Sequence, residues 1–149
     1  IAGLQRQLAV MGLYDKTPVY LRMQELIRLV YSLSTHVSRE YKYTLMQDIK
    51  RDVMNLTRYV FRANTADDKR PHLDRLAEEF EFVRMELRLC FDLRLFGIEK
   101  QAQIIRLLDD IGGRSTVGEK VANEIIASRE GKMKIHAGGG GVYGKVTVG

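Results

Sequence analysis

SREYKYTLMQDIKRDVMNLTRYVFRA, residues 38–63, is the stretch on which the fold turns. From about Tyr43, the apolar residues Leu45, Ile49, Val53, Leu56 and Val60 recur every three or four positions, the period of a helix with one buried face. Arg51, Arg58 and Arg62 are seven and then four residues apart, so they line the nearly opposite face, with Asn55 beside them. One face of this helix requires a protein core. The other carries a ladder of guanidinium groups with no matching row of carboxylates. A planar guanidinium presents its donors in the geometry that phosphate oxygens accept, so the outer face suits a phosphate-rich partner.

The flanking sequence reads as further helices. Thr17-Pro18 is an N-cap residue followed by proline at the first helical position. Val19, Met23, Leu26, Val30, Leu33 and Val37 follow at alternating steps of four and three, a seam suited to helix–helix packing. The polar run Asn64–Arg70 ending at Pro71 is a boundary. A third helix is expected from about His72 to Leu95, with Leu76, Phe80, Val83, Leu87 and Cys90 on one side and Phe82, Met85, Leu89 and Leu93 roughly on the other. A helix apolar on two faces is either sandwiched inside its own domain or buries one face against another chain; in a domain this small the second reading is favoured, so Phe82, Met85, Leu89 and Leu93 are expected to form a subunit interface. Gly97 separates this helix from a fourth, Ile98 to Ile111, whose Ala102, Ile105 and Leu108 continue an apolar side, and Gly112-Gly113 ends it.

These segments imply an all-α, up-and-down four-helix bundle over residues 17–113. Residues 1–16 read as an N-terminal extension, with Met11 as the expected start. Residues 114–149 read as a weakly ordered, flexible tail, although Val121, Ile125 and Ile126 are spaced for a short helix and Val142 to Val148 for a strand.

Composition narrows the function. The chain of 149 residues holds one domain, with 24 Lys and Arg against 19 Asp and Glu and a formal net charge of +5. The excess is local. Residues 38–62 carry Arg39, Lys42, Lys50, Arg51, Arg58 and Arg62 against Glu40, Asp48 and Asp52, whereas acids outnumber bases over residues 71–96. A solvated basic surface with no ligand is the alternative reading of the same charge. Cys90 is the single cysteine and sits at an apolar helical position, where it reads as a small buried hydrophobe. No internal disulfide, no long apolar span and no signal-peptide pattern are present, so a cytoplasmic protein without a membrane role is expected.

Little else suggests chemistry. His36, His72 and His136 are scattered and form no ligand pair, and no Glu-x-x-His motif of bundle metal sites occurs, so neither a metal nor a cofactor is expected. Asp48 lies three residues before Arg51, as in a local ion pair. Asp109-Asp110 sits in a last helical turn, where the macrodipole disfavours acids. Gly139 to Val146 approaches a phosphate-loop pattern but has valine where magnesium binding needs a hydroxyl. The basic set remains: Arg51, Arg58 and Arg62, with Arg39, Lys42 and either Tyr41 or Tyr43 near the start of the same helix. A tyrosine there either stacks on an unpaired base or caps the bundle end.

Three stretches, SREYKYTLMQDIKRD (38–52), YVFRAN (59–64) and ELRLCFDLRLFGIEKQ (86–101), resemble the accessory variability determinant proteins of diversity-generating retroelements. The likeness extends over roughly residues 20–114. This family belongs with a wider group of four-helix bundles that includes proteins encoded in intervening sequences of large ribosomal RNA genes. The resemblance implies a basic homopentameric barrel without catalysis of its own. It also implies a reverse transcriptase partner and binding of template RNA and cDNA during mutagenic retrohoming. The ribosomal relatives offer an alternative, an interaction or scaffold protein with no reverse transcriptase.

Overall fold

The computed structural model of the chain describes residues 17–112 and 117–129. The described residues are all-α. They form α1 (Pro18–Ser34), a single-turn α2 (Arg39–Lys42), α3 (Leu45–Thr65), α4 (Arg70–Asp92), α5 (Ile98–Gly112) and α6 (Val117–Arg129), with no strand among them.

The alternating seam of α1 is buried along its whole length, from Val19 through Met23, Leu26, Val30 and Leu33 to Val37 just past the helix. Pro18 occupies the first turn behind an extended Thr17, as the sequence indicates. In α3, Ile49, Val53, Leu56 and Val60 are buried as their spacing demands. The start of that run differs from expectation. Thr44 leaves helical geometry, with φ −120° and ψ −94°, so residues 39–42 form a separate turn and the helix begins at Leu45. Leu45 is only half-buried, and Met46 occupies the core instead.

The inner row of α4, Leu76, Phe80, Val83, Leu87 and Cys90, is buried. This helix ends at Asp92, before the expected Leu95, and its terminator is not a glycine. Arg94 adopts the left-handed conformation with φ 58°. The Leu95 N–H donates to the Cys90 carbonyl and the Arg94 N–H to the Phe91 carbonyl, both at 3.0 Å, the two bonds of a Schellman cap. Gly97 lies beyond this cap with open space around it. In α5 the buried face is Ile104, Leu107, Leu108 and Ile111, while Ala102 and Ile105 are exposed. The expected row of Ala102, Ile105 and Leu108 is therefore rotated: α5 turns the neighbouring ridge towards α1, its closest partner.

The expected weakly ordered tail gives way at α6. Val121 and Ile125 insert into the common core, and Ala127 is buried beside them. Gly118 brings the helix backbone close to α4, where an added Cβ would come within 3.0 Å of the Leu73 carbonyl. Two polar links tie α6 to helix ends. Glu124 Oε1 accepts from the Val19 N–H in the first turn of α1 at 3.1 Å, and Lys120 Nζ donates to the Asp110 carbonyl at the end of α5 at 2.9 Å. Both satisfy backbone groups that a helix terminus leaves without an intrahelical partner.

Backbones approach most closely between α3 and α4, followed by α1 with α3, α1 with α5, and α4 with α6. Tyr59 meets Arg75 while the earlier residue Asp52 meets the later Glu86, so α3 and α4 run antiparallel. Their connection, residues 66–69, is anchored by Lys69, whose Nζ donates to the carbonyls of Ala63, Asn64 and Ala66 at the end of α3. The N-terminal extension, the glycine-rich stretch with its phosphate-loop likeness, His136 and the possible strand at 142–148 all lie outside the described residues.

Candidate nucleic-acid interface

Because the buried row of α3 fixes the rotation of the helix, Arg51, Arg58 and Arg62 all face outward and are exposed. Their electrostatic situations differ. Arg51 lies 3.5 Å from Asp48 and 3.3 Å from the nearly buried Asp52. The Asp48 contact is the local pair that their spacing indicates, and the Asp52 contact is additional. Arg58 has no carboxylate within ion-pair distance among the described residues, nor does Arg62, whose guanidinium instead lies 6.0 Å from the centre of the Tyr59 ring. The ladder thus has one compensated rung and two uncompensated ones.

A further guanidinium joins from α4. Arg75 lies 6.0 Å from the centre of the same Tyr59 ring and 3.5 Å from Glu79. Tyr59 therefore associates with one arginine from each helix and gathers positive charge at the α3–α4 junction. The sequence of α3 alone gives no sign of this, because Arg75 is sixteen positions further on. Lys50, on the other flank of α3, lies 5.3 Å from the Tyr31 ring of α1.

Arg39 and Lys42 stand apart from this cluster. They occupy α2, which packs at the beginning of α3, whereas Arg62 is in the last turn of α3, roughly 25 Å along its axis at 1.5 Å per residue. The structure thus separates the five predicted basic residues into two groups. Tyr41 packs against the core, whereas Tyr43 is exposed, so the choice between these tyrosines as a stacking group falls to Tyr43.

Phe82, Met85, Leu89 and Leu93 remain exposed on the outer side of α4, at 47%, 57%, 45% and 39%. They form a near-continuous apolar row that nothing among the described residues covers. Glu86 is buried between α3 and α4, and burial, reinforced by the adjacent Asp52 carboxyl, pushes it up to about 8. Glu124 is pushed up to about 7 by burial, partly offset by the Val19 N–H and Lys120. Cys90 is free and buried, its thiol pushed up to about 12 by burial and then by Glu86, so it packs as an inert apolar group.

Among the described residues, no three His, Cys, Asp or Glu side chains gather in a way that could hold a metal ion, and no helix is long and apolar enough to cross a membrane. No curated protein and no solved structure matches the chain. A family profile described as bAvd-like matches residues 19–118, which takes in α1 to α5 and the beginning of α6. That match spans more than half of the chain and covers all three stretches whose likeness to accessory variability determinants is visible by eye, and on this ground the chain belongs to the bAvd-like family.

Proposed function

We propose that this chain is the non-catalytic accessory subunit of a diversity-generating retroelement, holding template RNA and cDNA while it contacts the reverse transcriptase during mutagenic retrohoming. Family membership supplies the setting. The observation that carries the nucleic-acid part is the pair of exposed guanidinium groups, Arg58 and Arg62, without carboxylate partners among the described residues. A cation already compensated by an intramolecular acid gains less from a phosphate than an uncompensated one, so these two lead the binding set and Arg51 follows. Arg39 and Lys42 form a second, separate contact at the far end of α3.

In this reading α1, α3, α4 and α5 form an up-and-down four-helix bundle that assembles through the apolar row of α4, as a pentamer by family likeness, in the cytoplasm. Assembly multiplies the arginine pair around one particle, so several weak phosphate contacts act together on one strand. The test is to look beside this gene for a reverse transcriptase gene and a repeat pair, and to co-express the chain with that reverse transcriptase and the repeat RNA. Recovery of one complex containing all three supports the reading. A genome neighbourhood without a reverse transcriptase, or a reverse transcriptase that never co-purifies, removes it in favour of a scaffold protein like those of ribosomal intervening sequences.

A further inference from the structure

The outer surface of α3 carries more than charge. At about 100° per residue, Arg58 and Arg62 straddle the outermost line of the helix. Met54 and Phe61, seven residues apart, form a parallel row on the same side as Lys50, the side towards α1. Both are well exposed, Met54 at 46% and Phe61 at 38%, and neither belongs to the core cluster. Across the arginines, Tyr59 and Arg75 form the opposite rim. The face is thus a strip of guanidinium groups bordered by an exposed aromatic ring and a thioether.

A double helix meets only part of this strip. It directs phosphates outward and keeps base faces stacked inside, so an exposed phenyl ring finds nothing to stack on and would be pressed against sugar and phosphate. An unpaired strand offers phosphate and a free base face side by side, and aromatic stacking on bases tolerates any sequence. The α4 row has no such pairing of features. It is apolar throughout and suits a protein surface instead.

We propose that this face of α3 is a binding site for an unpaired nucleic-acid strand, with Phe61 as the stacking platform and Arg58 and Arg62 as the phosphate contacts. The site rests on the nucleic-acid reading of the same arginines and makes it specific to single strands. Met54, about two helical turns from Phe61, lengthens the apolar border of the strip, while Arg75, itself paired with Glu79, lies against Tyr59 on the opposite rim.

The test uses the full chain at low salt, with fluorescence anisotropy on a labelled oligouridine and on a blunt RNA duplex of equal length. Phe61→Leu keeps an apolar side chain but removes the ring, and Phe61→Tyr keeps the ring. The expected result is that F61L weakens oligouridine binding by about fivefold or more while duplex binding stays within about twofold, and that F61Y binds oligouridine like the parent. Circular dichroism melts of each variant report folding. Unchanged oligouridine affinity in F61L, or equal losses on both ligands, overturns the single-strand site while leaving the nucleic-acid reading in place. Failure of the parent chain to bind either ligand overturns both, and is the outcome expected if the face meets a protein.

Discussion

The carboxyl groups of Asp52 on α3 and Glu86 on α4 meet across the helix interface, and both side chains are nearly buried. Arg51 Nε donates to Asp52 Oδ1 at 3.3 Å from the solvent side. Burial, reinforced by the adjacent Asp52 carboxyl, pushes Glu86 up to about 8, so Glu86 keeps its proton at neutral pH. The first rung of the arginine ladder is thereby tied to a packing feature of the α3–α4 interface. Its guanidinium serves the fold before it serves any ligand.

This pair sets a pH dependence of stability. A carboxyl raised from 4.5 when unfolded to about 8 when folded binds its proton more tightly in the folded chain. Its stabilising effect is present below about 4.5 and is lost as pH rises through 8. Glu124, raised to about 7, acts in the same direction over a narrower window. Thermal melts are expected to show a higher Tm at pH 6 than at pH 8.5. Glu86→Gln, which keeps a donor for Asp52, is expected to raise stability at pH 8.5 by about 1–2 kcal/mol and to flatten the profile. A Tm that climbs from pH 6 to pH 8.5 in the parent chain contradicts the pairing.

The difference between the arginines is measurable. Replacing Arg58 and Arg62 together by Ala is expected to reduce the slope of log K against log salt by about 1.4 for a single strand, at about 0.7 per contact. Arg51→Ala is expected to reduce it by less than one contact and to lower thermal stability, because it strips Asp52 of its cation. A loss of one full contact from Arg51→Ala, half that of the double replacement, would show that the carboxylates around Arg51 do not matter.

For the outer row of α4, native mass spectrometry of the full chain is the direct measurement. The parent is expected as a closed oligomer. Met85→Glu with Leu89→Glu is expected to yield monomers with unchanged helical content, since both positions are exposed in the single chain. A monomeric parent at micromolar concentration leaves the row without a role in assembly.

Glu124 is expected to matter although it lies on a helix that the sequence assigns to a tail. Its carboxyl group takes the place of a capping side chain at the first turn of α1. Glu124→Ala is expected to cost about 1 kcal/mol and to speed hydrogen exchange at the Val19 amide. Unaltered exchange at that amide would mean that α6 does not hold the start of α1.

Arg94 supplies a test of the α4 terminus. A Cβ disfavours φ 58° by about 1–2 kcal/mol relative to ordinary helical geometry, and glycine, which has none, does not meet that penalty. After allowance for the greater freedom of glycine in the unfolded chain, Arg94→Gly is expected to raise stability by about 0.5–1 kcal/mol in denaturant titrations. A loss of stability would point to a role for the Arg94 side chain beyond the cap.

Much of the architecture was legible in the residues. The seam from Val19 to Val37 and the row from Leu76 to Cys90 are buried as their spacing indicates, and both prolines stand in first helical turns. Errors came where two signals competed. Thr44 divided an apparently continuous run, and Arg94 ended α4 before the glycine that looked like the breaker. In α5 two adjacent ridges were nearly equal in apolar character, and contact with α1 selected the other one. In α6 a short pattern followed by glycine and charge looked too weak to order, yet Val121 and Ile125 reach a core built by the preceding helices.

The sequence by itself determined the all-α class, the inner faces of α1, α3 and α4 and the outward direction of the arginines. Those follow from a local rule, because backbone hydrogen bonding fixes 3.6 residues per turn and apolar side chains then leave water together. Only the tertiary structure decided which arginines keep their charge available. It placed Asp52 and Glu86 behind Arg51, joined Arg75 to Tyr59, and brought Glu124 to Val19 across 105 positions of chain. Electrostatic pairing depends on distance in space, and no spacing along the chain encodes that distance once helices fold back on one another.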